Sequence, residues 1–345
     1  MKPDMLNTVY QLKRPRQFEA VFKRIDLDDS QILVRPTYLS ICNADQRYYQ
    51  GTRNKEVLKQ KLPMALIHEG IGKVVYDPTD TFQTGESVIM IPNIPEEEDE
   101  VVSENYLPSS RFCASGEDGF MREFVTARPD RLLKLPENMN PYVAAFTELV
   151  SVAYHAVSRF DRSAHMRREW IGVWGDGNLA YITALLLKKR FPDYKVAVFG
   201  KHWQKMADFT FADDTYEITS VPAGVSVDHA FECVGGSGSS RAVNQIIDLI
   251  RPEGLISIMG VTEEPVPVNT RMILEKGLTV KGSSRSGRTD YEGLLGLYRE
   301  HPDMIDYLEK IVGAQIRVRS INDIIEAFET DIHKISGKTI MIWDK

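Results

Sequence analysis

The segment Glu169-Trp-Ile-Gly-Val-Trp174 leads directly into Gly175-Asp-Gly-Asn-Leu-Ala180, and Lys195-Val-Ala-Val-Phe-Gly200 follows after one apolar helical stretch. The first segment predicts a buried strand, the second a glycine turn that opens a helix, and the third another buried strand. A glycine motif between a strand and a helix is the context in which a chain binds a dinucleotide. The stretch therefore predicts an α/β domain with a doubly wound parallel sheet.

The glycine turn gives each small residue a separate task. Gly175 allows the tight turn, Gly177 lets the backbone approach a pyrophosphate, and Ala180 permits close packing of helix on strand. Asn178 and Leu179 open the helix, whose free N–H groups and positive dipole end attract phosphates. We predict that the two glycines, Asn178 and Leu179 bind the cofactor. The alternative is a plain tight connection between a strand and a helix.

Gly200 ends the second strand of this unit without a side chain. In a unit that binds NAD, a carboxylate at this strand end accepts a hydrogen bond from the ribose 2′-hydroxyl. Here Lys201 and His202 follow the glycine instead, which suits a 2′-phosphate and therefore NADPH. Lys201 is the preferred ligand of that phosphate, and Lys205 lies one helical turn further on. The alternative is a flexible strand end with no ligand role.

Length and composition limit the class of protein. A chain of 345 residues predicts two domains, and 43% hydrophobic with 26% charged residues is ordinary for a globular protein. The net charge of -7 argues against a nucleic acid or an anionic membrane as a partner. No apolar stretch approaches the roughly 18 residues of a membrane span, and the N-terminus lacks a signal-peptide core. Three distant cysteines favour the cytoplasm.

The periodicity changes near residue 141. Before it, short apolar runs predict a small antiparallel β-fold; after it, strands alternate with helices, as in a parallel sheet. The final strand could return to the first domain. The predicted strands are 32–36, 72–76, 87–91, 169–174, 195–199, 227–232, 254–259 and 338–343, and the predicted helices are 142–160, 179–189 and 291–308.

Two short segments carry residue types that bind metals. Cys42 and His68 offer a thiolate and an imidazole, which are good zinc ligands, and a catalytic zinc keeps one position open. A further ligand must come from elsewhere, and Glu69 and Glu148 are the candidate carboxylates. Taken alone, the cysteine and the histidine are also typical of ordinary buried core residues.

The motifs together resemble the zinc-dependent medium-chain dehydrogenases, which include alcohol and sorbitol dehydrogenases. The resemblance rests on Ile41-Cys42-x-x-Asp45, His68-Glu69-Gly70, Gly85-Glu-Ser-Val88, Gly119-Phe-Met-Arg-Glu-Phe-Val125, Thr147-Glu148-Leu149, the glycine turn and Glu232-Cys-Val-Gly235. It implies a GroES-like β-rich catalytic domain over residues 1–143, completed by residues 289–345. It also implies a Rossmann dinucleotide-binding domain over residues 144–288.

The same resemblance implies roles for the metal-binding residues. Cys42 and His68 would hold one catalytic zinc ion, and Asp45 would orient the histidine. Glu69 and Glu148 match the polyol dehydrogenases, where glutamates replace a third cysteine, and either carboxylate could be the direct ligand. The cysteine-rich lobe that holds a structural zinc in many members is absent, which predicts one metal ion and not two. Ala44 stands where alcohol dehydrogenases carry a hydroxyl for proton transfer.

The chain is most similar to one subgroup, the ribulose-5-phosphate reductases. The similarity rests on residues 44–49, 61–70, 174–178, 181–183, 229–236 and 282–287. It implies NADPH-dependent reduction of D-ribulose 5-phosphate to D-ribitol 5-phosphate, which supplies CDP-ribitol for wall teichoic acid or capsule. The expected partners are the small phosphosugar, a second copy in a homodimer, and a cytidylyltransferase of the same pathway.

A phosphorylated substrate requires cations in the site. Arg47 and Arg285 are the candidates, since an arginine fork suits a phosphate. Each arginine could instead be an ordinary surface cation, and Arg285 could contact the cofactor. The competing functions are an NAD-linked polyol dehydrogenase with an unphosphorylated substrate and a non-catalytic protein that keeps the fold as a binding module.

Overall fold

The computed structural model describes residues 5–25 and 27–345. The chain forms two compact units, one of Met1–Leu149 with Ser286–Lys345 and one of Val150–Arg285. The domain boundaries predicted from the sequence, after residue 143 and before residue 289, lie a few residues from these borders. One unit is thus a continuous central stretch of the chain, and the other is built from both ends.

The elements of the described chain are short strands and helices of moderate length. The strands are β1 (Met5–Arg14), β2 (Gln17–Ile25), β3 (Ile32–Ser40), β4 (Met64–Ala65), β5 (Glu69–Tyr76), β6 (Ser87–Met90), β7 (Asn93–Ile94), β8 (Arg111–Phe112), β9 (Val125–Ala127), β10 (Leu132–Lys134), β11 (Trp170–Trp174), β12 (Lys195–Gly200), β13 (Asp214–Glu217), β14 (His229–Glu232), β15 (Leu255–Ile258), β16 (Thr279–Gly282), β17 (Val312–Val318) and β18 (Lys338–Trp343). The helices are α1 (Asn43–Gln50), α2 (Lys55–Lys61), α3 (Pro141–Ala144), α4 (Thr147–Ser163), α5 (Asn178–Arg190), α6 (Trp203–Met206), α7 (Ser239–Leu249), α8 (Thr270–Glu275), α9 (Arg288–Glu300), α10 (Met304–Glu309) and α11 (Ile321–His333).

The first unit is built on a largely antiparallel sheet with β3 near its centre. The strand order is β10-β6-β5-β3-β18-β17, and β9 also pairs with β3. β18 lies antiparallel to β3 with Met341 opposite Leu39, so the chain's last strand does return to the first unit. Ile32, Val34 and Leu39 of β3 are fully buried in the core. The predicted antiparallel β-fold is confirmed.

The second unit contains the predicted parallel sheet. Its order is β13-β12-β11-β14-β15-β16, and each of the neighbouring pairs is parallel. The central strands are apolar because helices cover parallel sheets on both faces. Trp174 at the end of β11 stacks on Phe199 of β12 with ring centroids 3.9 Å apart. This packing fixes the strand ends from which the glycine turn and Gly200 project.

Two long predicted helices are each divided in the structure. The predicted helix 142–160 consists of α3 and α4, and the Thr147 hydroxyl donates to the carbonyl of Ala144 at the break (2.8 Å). The predicted helix 291–308 consists of α9 and α10, separated at Pro302, whose ring cannot continue a helix. Within the described chain, no helix combines the length and apolarity needed to cross a membrane.

Candidate active site

Cys42 lies in the turn between β3 and α1, where Asp45 fixes the backbone. Asp45 Oδ2 accepts a hydrogen bond from the Cys42 N–H (3.1 Å), and Oδ1 accepts one from the Ile67 N–H (2.9 Å). Asp45 is almost fully buried, so these bonds replace the water that its carboxylate loses. One carboxylate thereby joins the turn of the cysteine to the segment that carries the histidine.

His68 follows Ile67 and directly precedes β5. Its Nδ1 lies 3.5 Å from Asp45 Oδ1. That Asp45 orients the ring stays a prediction. Burial alone would lower the pKa of His68, but the charge and hydrogen bonding of Asp45 and of Cys42 raise the pKa well above its usual value. A metal ion that binds this imidazole therefore displaces a proton.

The structure brings Cys42, His68 and Glu69 together. One possible ligand atom from each residue lies within 4.8 Å of the other two. A thiolate, an imidazole and a carboxylate form a donor set that suits zinc, and three protein ligands leave a fourth position open. The residues present therefore fit the metal that the sequence predicts. No second group of this kind occurs among residues 5–25 and 27–345.

Lys338 is a residue of this site that the sequence reasoning missed. Its Nζ lies 2.9 Å from Oε1 and 2.7 Å from Oε2 of Glu69, and it also donates to the carbonyl of Ile41 (2.8 Å). Both side chains are buried. Burial would lower the pKa of Lys338, but the charges of Glu69 and Cys42 raise it, so the lysine is a cation. The first residue of β18 thus neutralises one carboxylate of the cluster.

Glu148 lies outside the group formed by Cys42, His68 and Glu69, although it is buried near it. Burial raises the pKa of Glu148; the positive charge of His68 opposes this shift and the charge of Glu69 adds to it. Three of the four predicted ligands, Cys42, His68 and Glu69, therefore lie close together, and the fourth, Glu148, is a neighbouring carboxyl group. This carboxyl group holds a proton more readily than an ordinary glutamate.

The two candidate phosphate-binding arginines lie in different units. Arg47 is half-buried on α1, and Arg285 follows β16 with a left-handed backbone (φ 58°). Both side chains already interact with other groups of the protein. Their role toward a substrate phosphate stays a prediction.

The glycine turn of the second unit has the geometry that the motif predicts. Gly175 has φ 133°, and a Cβ there would lie 3.2 Å from both the Ala180 Cβ and the Cys233 carbonyl oxygen. Gly177 precedes α5, and a Cβ there would meet nothing within 4 Å, so the space beside it is open. Asn178 and Leu179 begin the 13-residue helix α5. The turn can therefore present free N–H groups to a phosphate.

Gly200 is closely packed. A Cβ at this position would lie 2.5 Å from Met206 Sδ and 3.0 Å from Asp176 Cβ. The side chain of Lys201 is exposed, and Lys205 is half-buried on α6. Asp176 was not among the predicted site residues, yet its Oδ2 accepts hydrogen bonds from the N–H groups of Lys201 (2.8 Å) and His202 (2.7 Å). No sequence motif signals this bond between two loops.

Comparison with known proteins agrees with this geometry. Residues 28–137 match the alcohol dehydrogenase GroES-like domain, and residues 199–300 match the zinc-binding dehydrogenase domain. The ribulose-5-phosphate reductase of Bacillus spizizenii is 54% identical over 99% of this chain and 100% of the relative. The chain belongs to the ribulose-5-phosphate reductase family of zinc-binding dehydrogenases. The predicted resemblance, the class of enzyme and the fold class are confirmed.

Two further relatives support the assignment of this oxidoreductase. Ribulose-5-phosphate reductase 1 of Staphylococcus aureus is 50% identical over 98% of this chain and 99% of the relative. The crystal structure of S. aureus TarJ in complex with NADPH superimposes with a TM-score of 0.88. It is 46% identical, and the match covers 99% of this chain and 100% of that structure.

Proposed function

We propose that this protein reduces D-ribulose 5-phosphate to D-ribitol 5-phosphate with NADPH and one zinc ion per subunit. The observation that carries the proposal is the 54% identity, over the whole chain, to a ribulose-5-phosphate reductase. The TarJ structure with NADPH supports the choice of cofactor. Gly200 supports it as well, because the residue that ends β12 has no carboxylate side chain for the ribose 2′-hydroxyl of NAD.

Cys42, His68 and Glu69 are the proposed zinc ligands, and Asp45 orients His68. In such a site, zinc supplies polarisation of the ketone carbonyl and stabilisation of the negative charge on its oxygen. Lys338 cancels the charge of Glu69 through the buried ion pair. Glu69 paired with Lys338 therefore repels the negative charge that develops on the substrate oxygen less than an unpaired Glu69 would.

Glu148 is the proposed proton donor of the site. Reduction of a ketone requires one proton on the product oxygen, and Ala44 has no hydroxyl that could pass it on. The raised pKa of Glu148 keeps its carboxyl group protonated to higher pH than an ordinary glutamate. Direct metal binding by Glu148 is the alternative role.

Glutamine variants distinguish the proposed zinc-binding role of Glu69 from the proposed proton-donating role of Glu148. We expect Glu69→Gln to lose bound zinc, whereas Glu148→Gln retains the zinc and loses turnover. Metal content measured by atomic spectroscopy on purified protein distinguishes the two. Zinc loss in Glu148→Gln with retention in Glu69→Gln would reverse the assignment.

The second unit is the proposed cofactor site. Gly175, Gly177 and the first residues of α5, Asn178 and Leu179, bind the pyrophosphate. Gly200, Lys201 and Lys205 form the surface for the 2′-phosphate. The chemistry that NADPH supplies is a hydride for the ketone carbon. Arg47 and Arg285 are the proposed cations for the substrate phosphate.

The test is a steady-state comparison of two cofactors and of substrates with and without a phosphate. We expect the highest kcat/KM with NADPH and ribulose 5-phosphate, and little turnover of ribulose. An NAD-linked polyol dehydrogenase would instead prefer NADH with ribulose, or NAD with ribitol or sorbitol. Absence of turnover with every pair, in protein that contains zinc, would favour a binding module and contradict the proposal.

We also propose a homodimer that pairs the edge strands β16 of two copies. β16 is the last strand of the parallel sheet, and its Val280 side chain is 46% exposed. Such an edge with apolar side chains is a ready surface for pairing with another chain. Sedimentation of Val280→Glu should show monomers where the natural chain shows dimers. If the natural chain and Val280→Glu both sediment as monomers, the proposed dimer is contradicted.

The remaining assignments follow from the family. The product would pass to a cytidylyltransferase that forms CDP-ribitol for wall teichoic acid or capsule, and the enzyme would act in the cytoplasm. Co-purification of the cytidylyltransferase with the tagged reductase from the native cell tests the partnership. Recovery of the reductase alone would contradict a stable complex.

A further inference from the structure

Asp176 connects the glycine turn to the loop that follows β12. Its Oδ2 accepts the two backbone N–H groups of Lys201 and His202, and it lies 2.9 Å from His202 Nδ1. Burial of Asp176 raises its pKa, but these hydrogen bonds lower the pKa below its usual value overall, so the group is a carboxylate. His202 Nδ1 must therefore carry the proton of this contact.

The bond to Nδ1 fixes the histidine ring and leaves its other nitrogen for another partner. The His202 side chain is 49% exposed, whereas Asp176 is 15% exposed. An imidazole held through Nδ1 presents Nε2 in one direction only. The ring follows Gly200, where the side chain that would select NAD is missing and where a Cβ would meet Met206.

A free carboxylate near a phosphate would repel it, so the position of Asp176 calls for an explanation. Three N–H donors converge on one oxygen of Asp176. Their partial positive charges offset much of the negative charge of the carboxylate. What the loop gains is a fixed backbone at Lys201 and His202. A recognition surface that is ordered before the ligand arrives avoids part of the entropy cost of binding.

We propose that Asp176 is a positioning residue for cofactor choice: it orders Lys201 and the His202 ring as the surface that recognises the 2′-phosphate of NADPH. The inference rests on the proposed use of NADPH. It adds a carboxylate of the glycine turn and the His202 imidazole to the determinants of that preference. NADH lacks the 2′-phosphate and gains nothing from this order.

The test compares Asp176→Asn with the natural chain. The variant keeps the shape of the side chain and loses its charge. We expect the KM for NADPH to rise about tenfold, the loss that follows when charge-assisted hydrogen bonds are weakened. The kcat with NADPH and the KM for NADH should stay unchanged. Binding of adenosine 2′,5′-bisphosphate should weaken in parallel, and binding of 5′-AMP should not.

Two further variants complete the experiment. Asp208→Asn is the matched control, because this aspartate is exposed in the turn after α6 and no hydrogen bond of its side chain is found in the described part of the chain. It should behave as the natural chain. His202→Ala removes the ring but keeps both backbone bonds to Asp176, and should raise the KM for NADPH alone. Its effect combined with Asp176→Asn should be less than additive if both act through the ring.

The outcomes separate this inference from the proposed function. Equal rises in KM for NADPH and NADH in Asp176→Asn would assign Asp176 a general structural role and overturn the inference. Tighter NADPH binding by Asp176→Asn would show that the Asp176 carboxylate repels the 2′-phosphate. That result would also overturn the inference. No preference for NADPH in the natural chain would instead contradict the proposed function itself.

Discussion

At the scale of single residues, Lys338 sets the charge of the candidate metal site. Lys338 pairs with Glu69 in the interior, although the two residues are 269 positions apart in sequence. A buried carboxylate without a cation or hydrogen bonds is costly, because the interior screens charge poorly. The ion pair therefore offsets part of the cost of burying the Glu69 carboxylate next to Cys42 and His68.

Replacement of Lys338 by methionine should destabilise the first unit. The change leaves Glu69 buried without its partner, and breaking such a pair costs about 3–5 kcal/mol of unfolding free energy. Denaturant unfolding measures the loss, and metal analysis should show less bound zinc. The control is Lys73→Met, since Lys73 is exposed on the same strand as Glu69. Equal stability of the two variants would contradict the assigned role of Lys338.

A side chain at position 200 should damage the second unit without changing cofactor preference. Gly200→Asp introduces the carboxylate typical of NAD sites, but its Cβ meets Met206 and Asp176. Overpacking of this kind costs about 1–3 kcal/mol. We expect a lower melting temperature and no gain in kcat/KM with NADH.

Gly282→Ala is the control for stability, because a Cβ at Gly282 meets nothing within 4 Å. It should melt close to the natural chain, and Gly200→Ala should melt lower. A Gly200→Asp variant that is stable and uses NADH well would show that packing does not exclude the carboxylate.

The sequence predicted the candidate site only in part, for a physical reason. Cys42, His68 and Glu69 were recognisable because their residue types suit zinc and lie in short motifs. Lys338 and Asp176 were not, because each acts through a side-chain bond to a distant segment. Such bonds depend on the tertiary fold and leave no local pattern.

At the scale of elements, the buried strands of the parallel sheet were predictable and its two edge strands were not. β11 and β12 are apolar runs, since both of their faces are covered. β13 and β16 lie at the two edges of the sheet, and their side chains are mostly exposed. Without an apolar run, only pairing with a neighbouring strand makes them strands.

β14 carries a histidine that makes stability depend on pH. His229 is fully buried, accepts the Leu255 N–H at Nδ1 (3.0 Å) and lies against His165. Burial, together with the positive charges of His165 and Arg168, lowers the pKa of His229 to about 4. The unfolded chain therefore binds a proton on this residue between about pH 6.5 and 4, while the folded chain does not.

The unfolding free energy should consequently fall as the pH is lowered from about 6.5 to about 4. His229→Gln should show a weaker fall over this range than the natural chain. His333→Gln, at an exposed position, should keep the natural slope. Denaturant unfolding at several pH values provides the measurement, and identical slopes in all three proteins would refute the role of His229.

At the scale of the whole molecule, the two units divide the proposed work. The first unit combines both ends of the chain and carries the metal-binding cluster, to which the last strand contributes Lys338. The second is a continuous stretch that carries the glycine turn and Gly200. The hydrophobic periodicity of the sequence changes near residue 141, close to where the first unit passes into the second. The assignment of residues 1–143 with 289–345 to a catalytic domain, and of residues 144–288 to a dinucleotide-binding domain, stays a prediction.

We propose zinc-assisted transfer of a hydride from NADPH to the ketone carbon of ribulose 5-phosphate. The most direct measurement uses NADPH deuterated at the transferable position of the nicotinamide and identifies the product by mass spectrometry. We predict ribitol 5-phosphate with one deuterium at C2, no product after removal of zinc, and recovery when zinc is restored. Unlabelled product, or undiminished labelled product from zinc-free protein, would contradict the account.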